Sequence, residues 1–147
     1  RRVQDRGIKA ALALGCEGIN MGTHFLVSQE APVHEGIKQK VIDMDENQTR
    51  LIFRNFNNTA RGYRNSVADE VAEIEAAGGD LSQMYHLESG ANQEKLWSTG
   101  DIEAGMVAVS MCGGLINDIP SCEDLVKNIV TDAEQIMRSR LAGIVES

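Results

Sequence analysis

The sequence predicts an α/β chain in which helical segments outnumber strands. Residues 18–21 and 49–56 are short and rich in strand-forming residues, whereas most of the remaining chain carries apolar residues at helical spacing. Hydrophobic residues make up 42% of the 147 residues, which is enough to form a core. No apolar run approaches the roughly 20 residues that a membrane-spanning helix requires.

The first helix is predicted to end at Leu14, because residues 10–14 are Ala and Leu and Gly15 suits the position just past a helix end. A brief strand is predicted next, over residues 18–21. Gly22 then permits close backbone approach, and Thr23 adds a hydroxyl beside a free amide. Such a turn binds phosphate through backbone N–H groups or is merely structural, and these residues alone leave both interpretations open.

The middle of the chain predicts a helix, a strand and a second helix. Residues 29–44 form the first helix, with Pro32 in its first turn, and residues 49–56 form the strand. Residues 63–77 form the next helix, which ends at a Gly-Gly pair. The apolar stripes that predict the two helices are Val33, Ile37, Val41 and Met44, and then Val67, Val71 and Ile74.

The last third predicts two further helices. Ser89 and Gly90 separate a short segment carrying Met84 and Leu87 from a helix carrying Leu96 and Trp97. The helix over residues 121–145 is the clearest of the chain, with Ser121 as N-cap and Asp124 at the capping-box position. Its apolar stripe is Leu125, Ile129, Ala133, Ile136, Leu141 and Ile144.

Six motifs follow one another along nearly the whole chain. They are Ala-Ala-Leu-Ala-Leu-Gly at 10–15, Met-Gly-Thr-x-Phe at 21–25, Glu-Ala-Pro-Val-His at 30–34, Ala-Arg-Gly-Tyr-Arg-Asn at 60–65, Gly-Asp-Ile-Glu-Ala-Gly at 100–105 and Gly-Leu-Ile-Asn-Asp-Ile-Pro at 114–120. In this order and spacing the sequence resembles the nitronate monooxygenase family, formerly called 2-nitropropane dioxygenases. The resemblance implies FMN-dependent (β/α)₈ barrels with an inserted lid, which oxidise alkyl nitronates with molecular oxygen.

A (β/α)₈ barrel takes about 250 residues, so the resemblance implies a C-terminal fragment of a TIM barrel with an inserted, mostly helical lid. Residues 1–46 would be the C-terminal barrel units with the FMN-phosphate turn. Residues 47–105 would be the lid and substrate segment. Residues 106–147 would be the closing barrel loop and the C-terminal helix.

The resemblance also implies the site. The backbone of Asn20, Met21, Gly22 and Thr23 would bind the FMN phosphate. The substrate would be a nitronate or nitroalkane, whose carbon loses a proton before electrons pass to FMN and O₂ reacts. The histidine that the family uses as base would lie upstream of residue 1, so no catalytic residue is assigned and the chain alone is expected to be inactive.

The chain departs from the family pattern at three places. His24 follows Met-Gly-Thr where the family usually has arginine, and it either hydrogen-bonds the phosphate or the barrel rim, or only covers the turn. Residues 110–111 are Ser-Met where a Gly-Gln pair is usual. Residues 1–4 stand where the family has a Gly-Gly-Ile segment that supplies half of the phosphate cradle, so that half is either replaced or lies before residue 1. Nearby, Gly113 and Gly114 either permit close packing or form a plain turn.

Charged residues in the lid segment have ordinary alternatives. Arg61 and Arg64 anchor the lid or meet an anionic group, or else they are solvated charges pairing with Asp69 or Glu70, which stabilises little. The acidic residues Glu70, Glu73 and Glu75 are expected on one outer helix face as a solubilising surface.

Composition restricts the partners and the compartment. The net charge of −8 argues against nucleic acid and anionic membranes, and the aromatic content of 4% leaves little for base stacking. Cys16, Cys112 and Cys122 are expected to be reduced thiols, which favours the cytoplasm. His34 and His86 have no other metal-ligand type at a useful spacing, so no metal site is predicted.

Two other functions stay open at this point. The related flavin-dependent enoyl-acyl-carrier-protein reductases share the Met-Gly-Thr element and the order of the lid. Alternatively, the chain is a non-catalytic fragment that associates through open barrel edges, because unpaired strand edges favour association. Association of the chain with itself is compatible with each of the three functions.

Overall fold

The computed structural model of the chain describes residues 4–141, which form six α-helices and one two-stranded antiparallel sheet. In chain order these elements are α1 Gln4–Ala13, α2 Thr23–Leu26, α3 Glu35–Asp43, β1 Thr49–Ile52, β2 Ala60–Tyr63, α4 Ser66–Ala76, α5 Gly90–Thr99 and α6 Cys122–Ile136. Short 3₁₀ turns occur at Arg54–Phe56, Leu81–Gln83 and Met111–Leu115, and a π-helical turn at Met137–Leu141 follows α6.

The sheet is a hairpin whose second strand is also bonded to a later segment. Thr49 pairs with Tyr63 and Ile52 with Ala60. On its other side β2 forms a bridge from Gly62 to Ala108, and Tyr63 N donates to Val107 O at 2.8 Å. A Cβ at Gly62 would lie 3.2 Å from Val107 O, so glycine allows this close approach.

Two clusters of buried apolar residues form the core. The first joins α3, α5 and the segment 102–116, and it includes Val27, Ile37, Val41, Met44, Leu96, Ile102, Val107, Val109 and Ile116. The second lies between the hairpin, α4 and the turn before α5, and it includes Ile52, Phe53, Val67, Ala68, Val71, Met84 and Leu87. The first cluster therefore draws on all three predicted segments, 1–46, 47–105 and 106–147, whose division stays a prediction.

The predicted ends of several helices are confirmed. Gly15 has φ +90° just beyond α1, and Gly78 has φ +77° just beyond α4. Ser89 caps α5 by accepting Asn92 N, and Ser121 caps α6 by accepting Asp124 N at 3.0 Å. Residues 142–145 of the predicted last helix, with Ile144, lie outside the described residues, as do Arg1 and Arg2.

The predicted strand at residues 18–21 is wrong, since these residues have no regular structure and no partner strand among the described residues. Strands need a hydrogen-bonded neighbour, and an apolar run alone does not supply one.

The predicted helix over residues 29–44 begins later, at Glu35. The Nδ1 atom of His34 accepts a hydrogen bond from Gly36 N at 3.1 Å and so caps α3. Pro32 therefore lies before the helix and not in its first turn. The residue preceding proline disfavours helical backbone angles, which explains why no helix runs through Ala31.

The predicted strand over residues 49–56 ends at Ile52, because Phe53 adopts a left-handed conformation with φ 56°. Residues 60–63 form β2, which was not predicted. The helix expected from residue 63 begins at Ser66, since the side chain of Asn65 caps it by accepting Ala68 N at 2.9 Å. None of the helices in the described residues is both long and apolar enough to span a bilayer.

Candidate functional site

The predicted phosphate turn lines a cleft of about 530 Å³, the turn cleft. Asn20, Met21, Gly22 and Thr23 form one side of it, and α2 begins directly after Gly22. The opposite side is formed by the segment from Ala108 to Ile116, and Arg61 of β2 also lines the cleft. The four residues predicted from sequence are therefore brought together at one cavity.

The backbone amides of this turn are uncommitted. Within residues 4–141, no acceptor takes the N–H group of Asn20, Met21, Gly22 or Thr23. The first amide of α2 that closes a helical turn is that of Leu26, which donates to Gly22 O at 2.9 Å. Amides without a protein acceptor beside a cavity are suited to an anion.

The hydroxyl of Thr23 has a structural role that the sequence did not indicate. Its Oγ1 accepts a hydrogen bond from Ser110 N at 3.0 Å and donates to Ser110 Oγ at 3.2 Å. This pair joins the two sides of the turn cleft. Ser110, where the chain departs from the family pattern, thus fixes the width of the cleft.

His24 lies in the wall of the same cleft and is only 3% exposed. Its Nε2 is 3.4 Å from Asp118 Oδ1, so the side chain connects α2 to the loop before α6. This contact favours the structural alternative for His24 over a direct contact with a phosphate.

The two arginines of the hairpin region differ. Arg64 Nε lies 3.2 Å from Asp69 Oδ1, as expected for a pairing within this surface. Arg61 has no carboxylate partner among the described residues, and its Nη1 donates to the neutral Thr49 Oγ1 at 2.7 Å. Arg61 therefore brings an uncompensated charge to the wall of the turn cleft.

The Gly-Gly pair at 113–114 permits close packing, one of the two alternatives considered. A Cβ at Gly113 would lie 2.7 Å from Met44 Cε, and one at Gly114 would lie 2.8 Å from Glu46 N. The 3₁₀ turn Met111–Leu115 consequently packs tightly against the end of α3. This packing positions Val109, Cys112 and Ile116 in the turn cleft, and no local motif indicated that they belong there.

Glu75 corrects the expectation of an acidic outer face on α4. The residue is only 7% exposed, and its carboxylate accepts Phe53 N at 2.7 Å and Asn55 N at 3.1 Å. Glu70 and Glu73 are exposed as expected. The carboxylate of Glu75 on α4 is thus a buried anchor for the turn that follows β1, and the helical spacing could not distinguish it from its exposed neighbours.

Other titratable groups play smaller roles. Burial raises the pKa of Tyr63 above its ordinary value, with Glu103 and Asp43 adding to the effect. Cys16, Cys112 and Cys122 are free thiols. Among residues 4–141, no group of three or more His, Cys, Asp or Glu side chains has the arrangement of a metal site.

The fold and the turn cleft define an α/β protein with a candidate cofactor site built from main-chain amides. The sequence model of the nitronate monooxygenase family matches residues 3–132, so the chain belongs to that family. The resemblance noted from the motifs is confirmed.

The chain is also similar to individual proteins and to a solved structure. The chain is 27% identical to a probable nitronate monooxygenase of Bacillus subtilis, over 85% of this chain and 38% of that protein. It is 26% identical to a (3aS,4S,5R,7aS)-5-hydroxy-7a-methyl-1-oxo-octahydro-1H-indene-4-carboxyl-CoA dehydrogenase of Mycobacterium tuberculosis, over 87% of this chain and 46% of that protein. FabK from Thermotoga maritima superposes with a TM-score of 0.84 at 28% identity, over 95% of this chain and 44% of FabK. The chain thus spans less than half the length of each.

Proposed function

We propose that this chain forms the cofactor-phosphate part of an FMN-dependent oxidoreductase that oxidises alkyl nitronates with O₂. Membership of the nitronate monooxygenase family supports the reaction class, and the B. subtilis relative is named for that reaction. The observation that carries the proposal is the set of uncommitted amides from Asn20 to Thr23 at a cleft.

The residues present fit an FMN phosphate. Phosphate oxygens accept hydrogen bonds from backbone N–H groups, and Arg61 adds a positive charge beside those groups. At Gly22 a Cβ would meet no atom within 4 Å, so the backbone borders open space that a phosphate can occupy. Leu26, Val109 and Ile116 give the rest of the cleft an apolar lining, which keeps water away from the hydrogen bonds to the phosphate.

The contribution of this chain is binding and orientation. FMN, when bound, supplies the electron-accepting chemistry of the reaction. The amides of the turn would hold its phosphate, and the bond between Thr23 and Ser110 would keep the two walls of the cleft at a fixed separation. We assign none of the described residues to proton abstraction from the nitronate or nitroalkane carbon. The three-segment division, self-association and a cytoplasmic location stay predictions.

A methyl group at Gly22 tests this proposal with a matched control. Both Gly22→Ala and Gly18→Ala place a Cβ where the chain has no atom within 4 Å, and neither glycine has a positive φ. Only Gly22 lines the turn cleft. In the full-length protein we expect the methyl group of Gly22→Ala to displace the phosphate from the turn and to weaken FMN binding about tenfold, the effect of losing one charge-assisted hydrogen bond. Gly18→Ala should keep its flavin. A protein purified without flavin absorbance, or equal FMN affinities of the two variants, would contradict the proposal.

A second candidate is the flavin-dependent enoyl-acyl-carrier-protein reductase, because the Met-Gly-Thr element at residues 21–23 and the order of the lid resemble that enzyme as well. The two reactions differ in their electron donor and their acceptor. Oxygen uptake with an alkyl nitronate supports the monooxygenase, whereas NADH oxidation that depends on an enoyl thioester supports the reductase. The flavin-bound full-length protein should be measured in both assays side by side.

A further inference from the structure

A second cleft, of about 800 Å³, lies along the edge of β1 beside α4. We call it the arginine cleft, because Arg50, Arg54 and Arg61 all line it. The hydroxyls of Thr49 and Thr59 and the side-chain amide of Asn55 also line it. Its lining therefore consists largely of hydrogen-bond donors, unlike that of the turn cleft.

Two of the three guanidinium groups form no ion pair with any of the described residues. Arg50 pairs with Asp69 of α4. Among the described residues neither Arg54 nor Arg61 has an ion-pair partner. The one hydrogen bond of the Arg61 side chain to these residues goes to the hydroxyl of Thr49. The sequence as a whole carries a net charge of −8, so this local positive charge runs against the overall balance.

The one carboxylate in the lining, that of Glu75, keeps its negative charge, but within the described part of the chain it forms no ion pair with an arginine. Both carboxylate oxygens of Glu75 accept hydrogen bonds from backbone amides of the turn after β1, those of Phe53 and Asn55. In return, Asn55 Nδ2 donates a hydrogen bond to the backbone carbonyl of Glu75 at 3.0 Å. The carboxylate is thus used to hold the turn.

The same turn fixes Arg54. It is bracketed by two residues in the left-handed region, Phe53 at φ 56° and Asn57 at φ 54°, a conformation that a bulky residue such as Phe53 seldom adopts. Glu75 and the burial of Phe53 in the second core cluster keep this backbone in place. Arg54, the first residue of the 3₁₀ turn, is therefore presented at the arginine cleft by a fixed main chain.

We propose that the arginine cleft binds a ligand through a phosphate group, at a site separate from the FMN phosphate. Guanidinium groups bind phosphate through paired N–H donors, and hydroxyl and amide groups complete such a site. Arg61 lines both clefts, so a phosphate held here is next to the turn cleft. The inference goes beyond the proposed function and does not require that function to hold.

Pyrophosphate is the probe for this site, added to the full-length protein saturated with FMN so that the turn cleft is filled. Backbone amide NMR shifts are expected to change saturably at residues 50–55 and 59–61 and not at residues 20–23. The same titration without FMN separates the two proposals: if FMN does not bind, shifts at residues 50–61 still support this one. Absence of saturable shifts at residues 50–61 would overturn it.

Substitution of Arg54 provides the matched comparison. Arg54→Gln should weaken pyrophosphate binding about tenfold and leave FMN affinity unchanged, and Arg54→Lys should lie between it and the wild type, because lysine lacks the paired donors. Lys40→Gln removes the same charge from the exposed face of α3 and should bind pyrophosphate normally. Equal losses in Arg54→Gln and Lys40→Gln would show an effect of net charge only and would overturn the inference.

The source of the phosphate is decided by steady-state kinetics. If pyrophosphate competes with the organic substrate, the bound phosphate is part of that substrate. If pyrophosphate binds at the arginine cleft without inhibition, the ligand is a separate phosphate compound. Both results support a phosphate site, and they differ only in the role of its ligand.

Discussion

The turn cleft and the arginine cleft share Arg61 but are built by different means. The turn cleft offers main-chain amides and apolar side chains, whereas the arginine cleft offers guanidinium and hydroxyl groups. Main-chain donors survive most side-chain replacements, so the first site depends on small residues and on the spacing of its walls. The second depends on side chains and on the buried carboxylate of Glu75 that holds their turn. Mutations of the residues that hold the walls of one cleft should therefore weaken binding at that cleft and leave binding at the other unchanged.

The largest effect is expected where one side chain joins the start of α4 to the segment 102–105. Asn65 is buried. Its Nδ2 donates hydrogen bonds to Ile102 O at 2.5 Å and to Gly105 O at 2.8 Å, and its Oδ1 accepts one from Ala68 N. Asn65→Ala leaves buried groups without partners and removes the cap of α4, so we expect a loss of about 3 kcal/mol in the free energy of unfolding. Urea denaturation measures it.

The control for this prediction is Asn58→Ala, at an exposed position in the hairpin loop. Its effect should stay within about 0.5 kcal/mol, as for most surface substitutions. Equal stabilities of the two variants would mean that the hydrogen bonds of Asn65 to Ile102, Gly105 and Ala68 do not stabilise the fold.

A smaller effect, confined to the arginine cleft, is expected from Glu75→Gln. The amide places an NH₂ group against a backbone N–H of Phe53 or Asn55, which costs about 2 kcal/mol of stability. Pyrophosphate affinity should fall, because we expect the loss of the fixed turn to outweigh the removal of one negative charge from the lining, and FMN affinity should not change.

The neighbour Glu73 gives the matched control, because Glu73→Gln makes the same chemical change on the exposed face of the same helix. We expect wild-type unfolding and wild-type pyrophosphate binding for it. If Glu73→Gln destabilises the protein as much as Glu75→Gln, the role assigned to the buried carboxylate is wrong.

Thr23→Val should affect the turn cleft alone. Valine keeps the shape of threonine and removes the hydroxyl that accepts Ser110 N, so the free energy of unfolding should fall by about 1 kcal/mol. FMN binding should weaken, and pyrophosphate binding at the arginine cleft should not. Thr131→Val, an exposed position on α6, is the control. A Thr23→Val variant with unchanged FMN affinity would show that the spacing of the walls does not matter.

Local chemistry explains which elements were predictable from sequence. Ser121 and Ser89 cap helices, and Gly15 ends one, because each acts on backbone groups within a few residues of itself. The family motif likewise located the turn at residues 20–23, since the motif is contiguous. What it could not indicate is that the hydroxyl of Thr23 is bonded to Ser110, 87 residues away.

Contacts distant in sequence explain what could not be predicted. Residues 60–63 are a strand because β1 and Val107 supply partners on both sides, whereas residues 18–21 have none in the described chain. Glu75 has the same helical spacing as its exposed neighbours, and only the fold brings the Phe53 turn to it. The arginine cleft was missed because Arg50, Arg54 and Arg61 come from three different elements, and only the folded hairpin brings them to one cleft.

The smallest expected effect is a pH dependence that originates at Asp69. Hydrogen bonds from Arg50 and then Arg64 hold the pKa of Asp69 below its ordinary value of 3.8. A lowered pKa in the folded state contributes stability that is present above the unfolded value and is lost as the pH falls through the folded value. Asp69→Asn should therefore lose less stability than the wild type between about pH 5 and about pH 3. Glu46→Gln, which removes an exposed carboxylate with no ion pair in the described part of the chain, should follow the wild type. Urea unfolding at several pH values measures the difference. If the free energy of unfolding changes with pH equally in Asp69→Asn and the wild type, Arg50 is held in the arginine cleft by something other than this carboxylate.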